Sequence, residues 1–247
     1  MRTFLYILYS SILTSTVCAG TMGSVAPQSD WVWVGTLSAG PVWANPGKTQ
    51  TFALTPKIIK TYVANRASKA LASGELFAGM QKNFPKNTQV QLGLAIAASS
   101  NANLSGAIWD DADPEFNNYI YSYKIQHTRV AVKGKVLVDN GFWLTPWVSG
   151  SLGVAFNNAH AYSNTPTIFQ AVENPNFASH TRTSFTWTLG AGVQKALNNH
   201  WQVGVGYEFA DWGKSQLGRA AQQTLNKGPY LSQFSTNGLL FNLTYLA

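Results

Sequence analysis

Apolar and polar residues alternate with period two along most of the chain, most clearly over residues 185–209. In the second arm of that stretch Trp201, Val203, Val205, Tyr207 and Phe209 share one face, and Gln202, Gly204, Gly206, Glu208 and Ala210 share the other. In the first arm Phe185, Trp187, Leu189, Ala191 and Val193 oppose Thr186, Thr188, Gly190, Gly192 and Gln194. Alternation of this length marks a β-strand with two unlike faces. Asn198-Asn199-His200 between the arms reads as a tight turn. One face is apolar and aromatic; the other is small and polar.

The same unit recurs. Strands are expected at 31–43, 70–81, 89–99, 119–138, 142–157, in the two arms of 185–209, and at 235–246. Asp139-Asn140-Gly141 is a strong hairpin-turn signal. Tyr119, Tyr121 and Tyr123 need a bulge, or a rise above the membrane, to face lipid. Short turns join alternate pairs of strands, and the stretches 44–68, 100–118, 158–180 and 213–232 read as long loops, the first with strand extensions at 51–54 and 58–63. Short turns on one side, long loops on the other and an even strand count describe an all-β, closed antiparallel transmembrane barrel. Eight strands is the expected number; ten is the alternative, if residues 50–64 form a hairpin of their own.

Composition bears on which face meets water. Charged residues make up 11% of the 247-residue chain, where a soluble surface calls for about 25–35%. No run of about 18 apolar residues is present, so a membrane helix is not expected. Nine Trp, ten Tyr and thirteen Phe suit a barrel with aromatic girdles at both interfaces. The charges inside strands, Glu75, Arg129, Lys133, Lys135 and Glu208, all fall on the small-polar face. That face is therefore expected inward and the apolar face toward lipid, the inverse of a soluble lipocalin-type barrel. The net charge of +7 comes from scattered bases without a nucleic-acid motif. An anionic membrane surface is the better partner for it.

Residues 1–19 read as a secretory signal peptide, with Arg2 ahead of an apolar centre and Val17-Cys18-Ala19 at the cleavage site; a lipoprotein site at Cys18 is the rival reading. Residues 20–30 form a short periplasmic lead-in, and 31–247 the barrel. Cys18 is the single cysteine, so the mature chain would have neither a disulfide nor a cysteine nucleophile.

The strand 146–154 (PWVSGSLGV), the strand 203–209 (VGVGYEF) and the final strand 239–246 (LLFNLTYL), together with the signal peptide, resemble outer-membrane barrels of the opacity-protein and OmpA-transmembrane type. The resemblance covers residues 31–247. It implies a bacterial outer-membrane location, both termini periplasmic, and recognition of the last strand by the barrel-assembly machinery. The chain departs from the family in ending Tyr245-Leu246-Ala247 rather than on phenylalanine, and in having no peptidoglycan-binding domain after the last strand.

Four groups of residues are candidates for chemistry. Glu75, Arg129, Lys133, Lys135 and Glu208 face a narrow bore, where opposite charges should pair; they read as a plug of salt bridges or as a gate. Asp110, Asp111, Asp113 and Glu115 carry oxygen ligands suited to Ca²⁺, but without the glycine turn and ligand ladder of an EF-hand. The plainer reading is a solvated loop that pairs with the basic stretch containing Lys48, Lys57, Lys60, Arg66 and Lys69, and no metal or other cofactor is expected. His160, His180, Ser163, Asp110 and Asp111 assemble a hydrolytic site only on paper, since no motif ties them together; His127 and His200 have no visible partner. Trp109, Phe116, Phe169 and Phe177 lie in outer loops, where binding functions concentrate. The expected function is a non-enzymatic outer-membrane barrel. Its structural or adhesin-like role rests on loops that meet lipid, lipopolysaccharide or a host-surface ligand. A small porin-like channel is the alternative.

Overall fold

The computed structural model describes residues 31–45, 47–66, 70–85 and 87–247. The signal peptide, the lead-in, Cys18 and Lys69 lie outside the described residues. Eleven strands form one antiparallel sheet: β1 (Trp31–Ala44), β2 (Gln50–Thr55), β3 (Ile58–Ala64), β4 (Ala70–Phe84), β5 (Thr88–Ser99), β6 (Ala102–Asp110), β7 (Asn117–Val138), β8 (Thr145–Pro166), β9 (His180–Ala196), β10 (Trp201–Gln216) and β11 (Tyr230–Leu246). No helix among the described residues is long and apolar enough to cross a membrane.

The order β7-β5-β4-β1-β11-β10-β9-β8, closed by a β7–β8 pairing, is a ring of eight. Closure leaves no strand edge, the condition for a sheet to cross a bilayer. The other three strands extend this ring. β6 continues β5 and pairs with the upper part of β7, from Ala102↔Ile125 to Trp109↔Asn117. β2 and β3 pair as a hairpin that continues β1 and β4, and β3 lies against β6. The hairpin within residues 50–64 thus exists, but as a rise of the wall beyond the ring, so the membrane-crossing count is eight rather than ten.

The apolar face is the outer one. Leu37, Leu76, Leu94, Val132, Leu152, Leu189, Val205 and Phe241 are all more than a third exposed. On β7 the outward residues are apolar from Val138 to Val130 and polar from Thr128 through Gln126 to Lys124. The apolar band therefore ends near Val130, after the roughly 9–11 residues per strand that a bilayer needs. Exposed aromatics flank it: Trp33, Phe84, Phe142, Trp143 and Trp201 at the short-turn rim, Trp43, Phe156 and Phe185 at the other. These are the girdle positions where aromatic rings sit among lipid headgroups.

Several expected boundaries are corrected. β8 starts at Thr145, not at residue 142, because Phe142 and Trp143 belong to the turn; it runs on to Pro166 through what reads as loop. Its alternation breaks at Ala161, a left-handed residue (φ 52) at a register shift between Ser122 and Lys124 of β7. The bulge changes which parity faces inward, as bulges do, so Ala159 below it and Tyr162 above it are both buried. β6 likewise occupies part of the expected loop 100–118: the five residues from Ala98 to Ala102 lie opposite the four from Thr128 to Ile125, and the inward parity again changes. Tyr119, Tyr121 and Tyr123 need no bulge to reach lipid, since they point into the bore with Arg129 and are buried.

Candidate functional site in the barrel lumen

An eight-stranded ring is narrow enough for side chains to fill it, and here they do so in layers. Nearest the short turns Gln91 donates to Gln81 at 2.8 Å and Gln194 to Gln202 at 2.6 Å. Lys135 joins this amide layer, its ammonium donating to Gln194 Oε1 at 2.5 Å and lying over the Trp147 ring at 4.6 Å. Trp147 fits because neighbouring strands carry glycine: a Cβ on Gly206 would come within 2.3 Å of the indole.

The charge layer follows. Arg129, from β7, reaches Glu75 of β4 at 2.6 Å and Glu208 of β10 at 2.7 Å. Lys133, two turns of the pleat below, donates to Glu75 and to Glu208, the latter at 3.1 Å. Two bases and two acids thus alternate in a ring across the bore, and each carboxylate oxygen has a cationic partner. Arg129 is 2% exposed and Glu75 4%. In so little water an unpaired charge would be costly, and mutual pairing offsets that cost. Of the five charges on the inward face, four are brought together in this ring; Lys135 is not among them, because its nearest partner is a neutral amide.

Above the ring His127 lies between Trp212 (5.3 Å between ring centres) and Phe234 (4.1 Å). Its Nδ1 meets Asn157 Oδ1 at 2.7 Å. Asn157 donates in turn to the carbonyls of Trp212 and Lys214, so His127 Nδ1 carries the proton. Trp212 packs its face on the Arg129 guanidinium at 4.8 Å and donates Nε1–H to Thr236. His127, expected without a partner, is thereby one of the most enclosed side chains of the lumen. The sequence signal for it is its parity with Arg129; Trp212 and Phe234 lie where alternation falters.

An aromatic stopper closes the far end. Phe52 stacks on Tyr62 at 4.9 Å, and Phe177 meets Tyr162 edge-on at 4.8 Å. Burial pushes the Tyr62 phenol above its ordinary pKa, with neighbouring Tyr121 and Asp110 adding to the effect. Lys60 then bonds Asp110 at 2.6 Å and Asn174 at 2.8 Å, and Tyr119 donates to the Val172 carbonyl. The loop between β8 and β9 is so drawn over the opening.

The remaining candidates lie apart. Asp110 is taken by Lys60 and Asn118, and Asp113 accepts from the Glu115 amide at the start of a short 3₁₀ turn (Pro114–Phe116). Asp111 is exposed at a left-handed residue (φ 51). Among the described residues no three His, Cys, Asp or Glu are placed to hold a metal ion. The paper hydrolytic set is dispersed: His160 meets the Asn158 carbonyl and Ser163 meets Ser122. His180 sits at the start of β9, and His200 Nδ1 meets the Leu246 carbonyl at the opposite rim.

A comparison with curated proteins finds no match. Among solved structures the fold is similar to Neisserial surface protein A, at 11% identity over 88% of this chain and 97% of that one (TM-score 0.41). It is also similar to Ail, the attachment invasion locus protein of Yersinia pestis, at 11% identity over 87% and 99% (TM-score 0.36). The outer membrane protease OmpT of Escherichia coli matches at 8% identity over 87% and 95% (TM-score 0.45). The family model described as outer membrane protein beta-barrel domain matches residues 15–245. The chain belongs to that family, as an integral β-barrel of the bacterial outer membrane.

Proposed function

We propose that this barrel is a closed scaffold whose outer loops carry a surface-binding, adhesin-like role, and that it catalyses no reaction. The observation that carries this reading is the filled bore: Arg129 joins carboxylates from β4 and β10 across the lumen, under a stopper of aromatic side chains. A scaffold closed in this way leaves the loops as the part free to act. The loop between β8 and β9 is held down by Asn174, bonded to Asn164 and Lys60. It thereby presents Ile168, Phe169 and Val172 outward, with Phe169 fully exposed. Exposed aromatics on a braced loop are the kind of anchor that dominates recognition.

Replacing Phe169 and Val172 together by serine leaves every lumen contact in place. It should weaken attachment of cells displaying the barrel to host-cell surfaces by about tenfold or more, the loss of one anchor of 1.4 kcal/mol or greater. Attachment unchanged by the double replacement, with the barrel correctly assembled, would sink the proposal. A narrow ion channel is the second reading, favoured by the small cavity below the charge ring. Conduction would require Arg129 and Lys133 to release both carboxylates.

A further inference from the structure

Below the charge ring, toward the short turns, lies an internal cavity of about 30 Å³ lined by Glu75, Gln91, Lys133, Lys135, Trp147, Ser149 and Glu208, among others. That is room for a water molecule or one ion of similar size. Two features of its lining are unusual. The first is charge. All four carboxylate oxygens of Glu75 and Glu208 are engaged by Arg129 and Lys133. Lys135 adds a third base to this part of the lumen, and among the described residues it has no ion pair; it bonds the Gln194 oxygen, lies over the Trp147 ring, and has Lys133 and Glu75 within electrostatic range. When Lys135 is protonated, the lumen holds one buried positive charge more than its carboxylates match, an arrangement that costs free energy.

The second feature is orphaned polar atoms. Trp147 Nε1 and Ser149 Oγ are enclosed and without a hydrogen-bond partner, and each residue is 8% exposed. The indole nitrogen can only donate, so it calls for an acceptor. Gln91 Oε1 is also unpartnered. Turning the Gln91 and Gln81 amides end for end keeps the hydrogen bond between them and presents the Gln91 NH₂ to the cavity.

We propose that this cavity binds a small monovalent anion of chloride's size class, held by the Lys135 ammonium, the Trp147 indole N–H and the Ser149 hydroxyl. The anion neutralises the surplus charge and satisfies the two orphaned groups together, which water does only in part. By mass action its binding stabilises the folded barrel.

The test uses the full-length refolded barrel. Crystals soaked in bromide should show an anomalous peak in the cavity beside Lys135, Trp147 and Ser149. The unfolding midpoint should rise saturably with sodium chloride but not with sodium gluconate at equal ionic strength. Lys135→Gln should abolish the chloride dependence. Ser149→Ala, which removes only the hydroxyl, should weaken it, and serves where Lys135→Gln fails to assemble. A cavity with water density but no bromide peak, or equal midpoints in the two salts, would overturn the proposal.

Discussion

Arg129→Met should destabilise the barrel by about 3–5 kcal/mol, the usual cost of breaking a buried ion pair from one side. The guanidinium is 2% exposed and bonds Glu75 and Glu208 from strands on opposite walls. Its removal leaves Lys133 alone against two buried carboxylates. Much of the loss is the penalty of those uncompensated charges rather than the intrinsic worth of the two bonds. It follows that replacing Glu75, Arg129, Lys133 and Glu208 together by apolar residues of matched volume should be near neutral. Urea unfolding of the barrel in lipid vesicles checks both: a lower midpoint at unchanged slope for the single variant, and little change for the quadruple one. A single variant as stable as the parent would mean that the ring is not closed in the membrane.

Trp212→Ala should cost a similar amount, about 3–5 kcal/mol, as expected for emptying a site filled by a large aromatic side chain. Trp212 is 1% exposed. It braces three groups at once: the guanidinium at 4.8 Å, the His127 ring at 5.3 Å, and Thr236 through a 2.9 Å hydrogen bond. Trp212→Phe keeps a ring under Arg129 and should recover part of the loss; what remains is the void left by the missing ring atoms, the hydrogen bond and part of the cation–π attraction, which is about 2 kcal/mol where water is excluded. Because Trp212 positions Arg129, the Arg129→Met and Trp212→Ala losses should fall short of additivity by about 0.5–3 kcal/mol. The same urea titrations of the double variant measure that coupling, and simple additivity would show that the two residues act independently.

The membrane-crossing part of the fold is legible in the sequence because its physics is local. Every outward residue is apolar or glycine from Val130 to Val138 and from Trp201 to Phe209, and lipid outside against a narrow bore inside maintains the pattern. It fails where the chain bulges. Ala161 and the step between Ala98 and Ala102 each insert one residue and swap the inward parity. The strand continues, but the pattern that would reveal it resets. Above the bilayer the outer face is wetted, so Gln126, Lys124 and Ser122 follow the valines outward and the contrast between faces fades. That is why β6 and the upper ends of β8 and β11 read as loop.

The candidate site divides along the same line. Parity alone groups Glu75, Arg129, Lys133, Lys135 and Glu208, since charges on one face of a narrow barrel have nowhere to go but each other. Two things needed three-dimensional placement. One is the separation of Lys135 from that ring, set by the reach of a lysine at the level of Gln194 and Trp147. The other is the enclosure of His127 by Phe234 and Trp212, residues distant in sequence. The acidic stretch shows the same limit in milder form. Among the described residues its pairing with the basic segment comes down to one contact, Lys60 with Asp110, while Asp111 stays exposed.

The central claim is that side chains close the lumen and leave function to the loops. Single-channel recording tests it most directly, with the refolded protein in a planar bilayer and its folded state verified by heat-modifiable gel mobility. No discrete current steps are expected at neutral pH over the usual voltage range. Reproducible steps from verified folded barrels would contradict it and make the Glu75–Arg129–Glu208–Lys133 ring a gate rather than a plug.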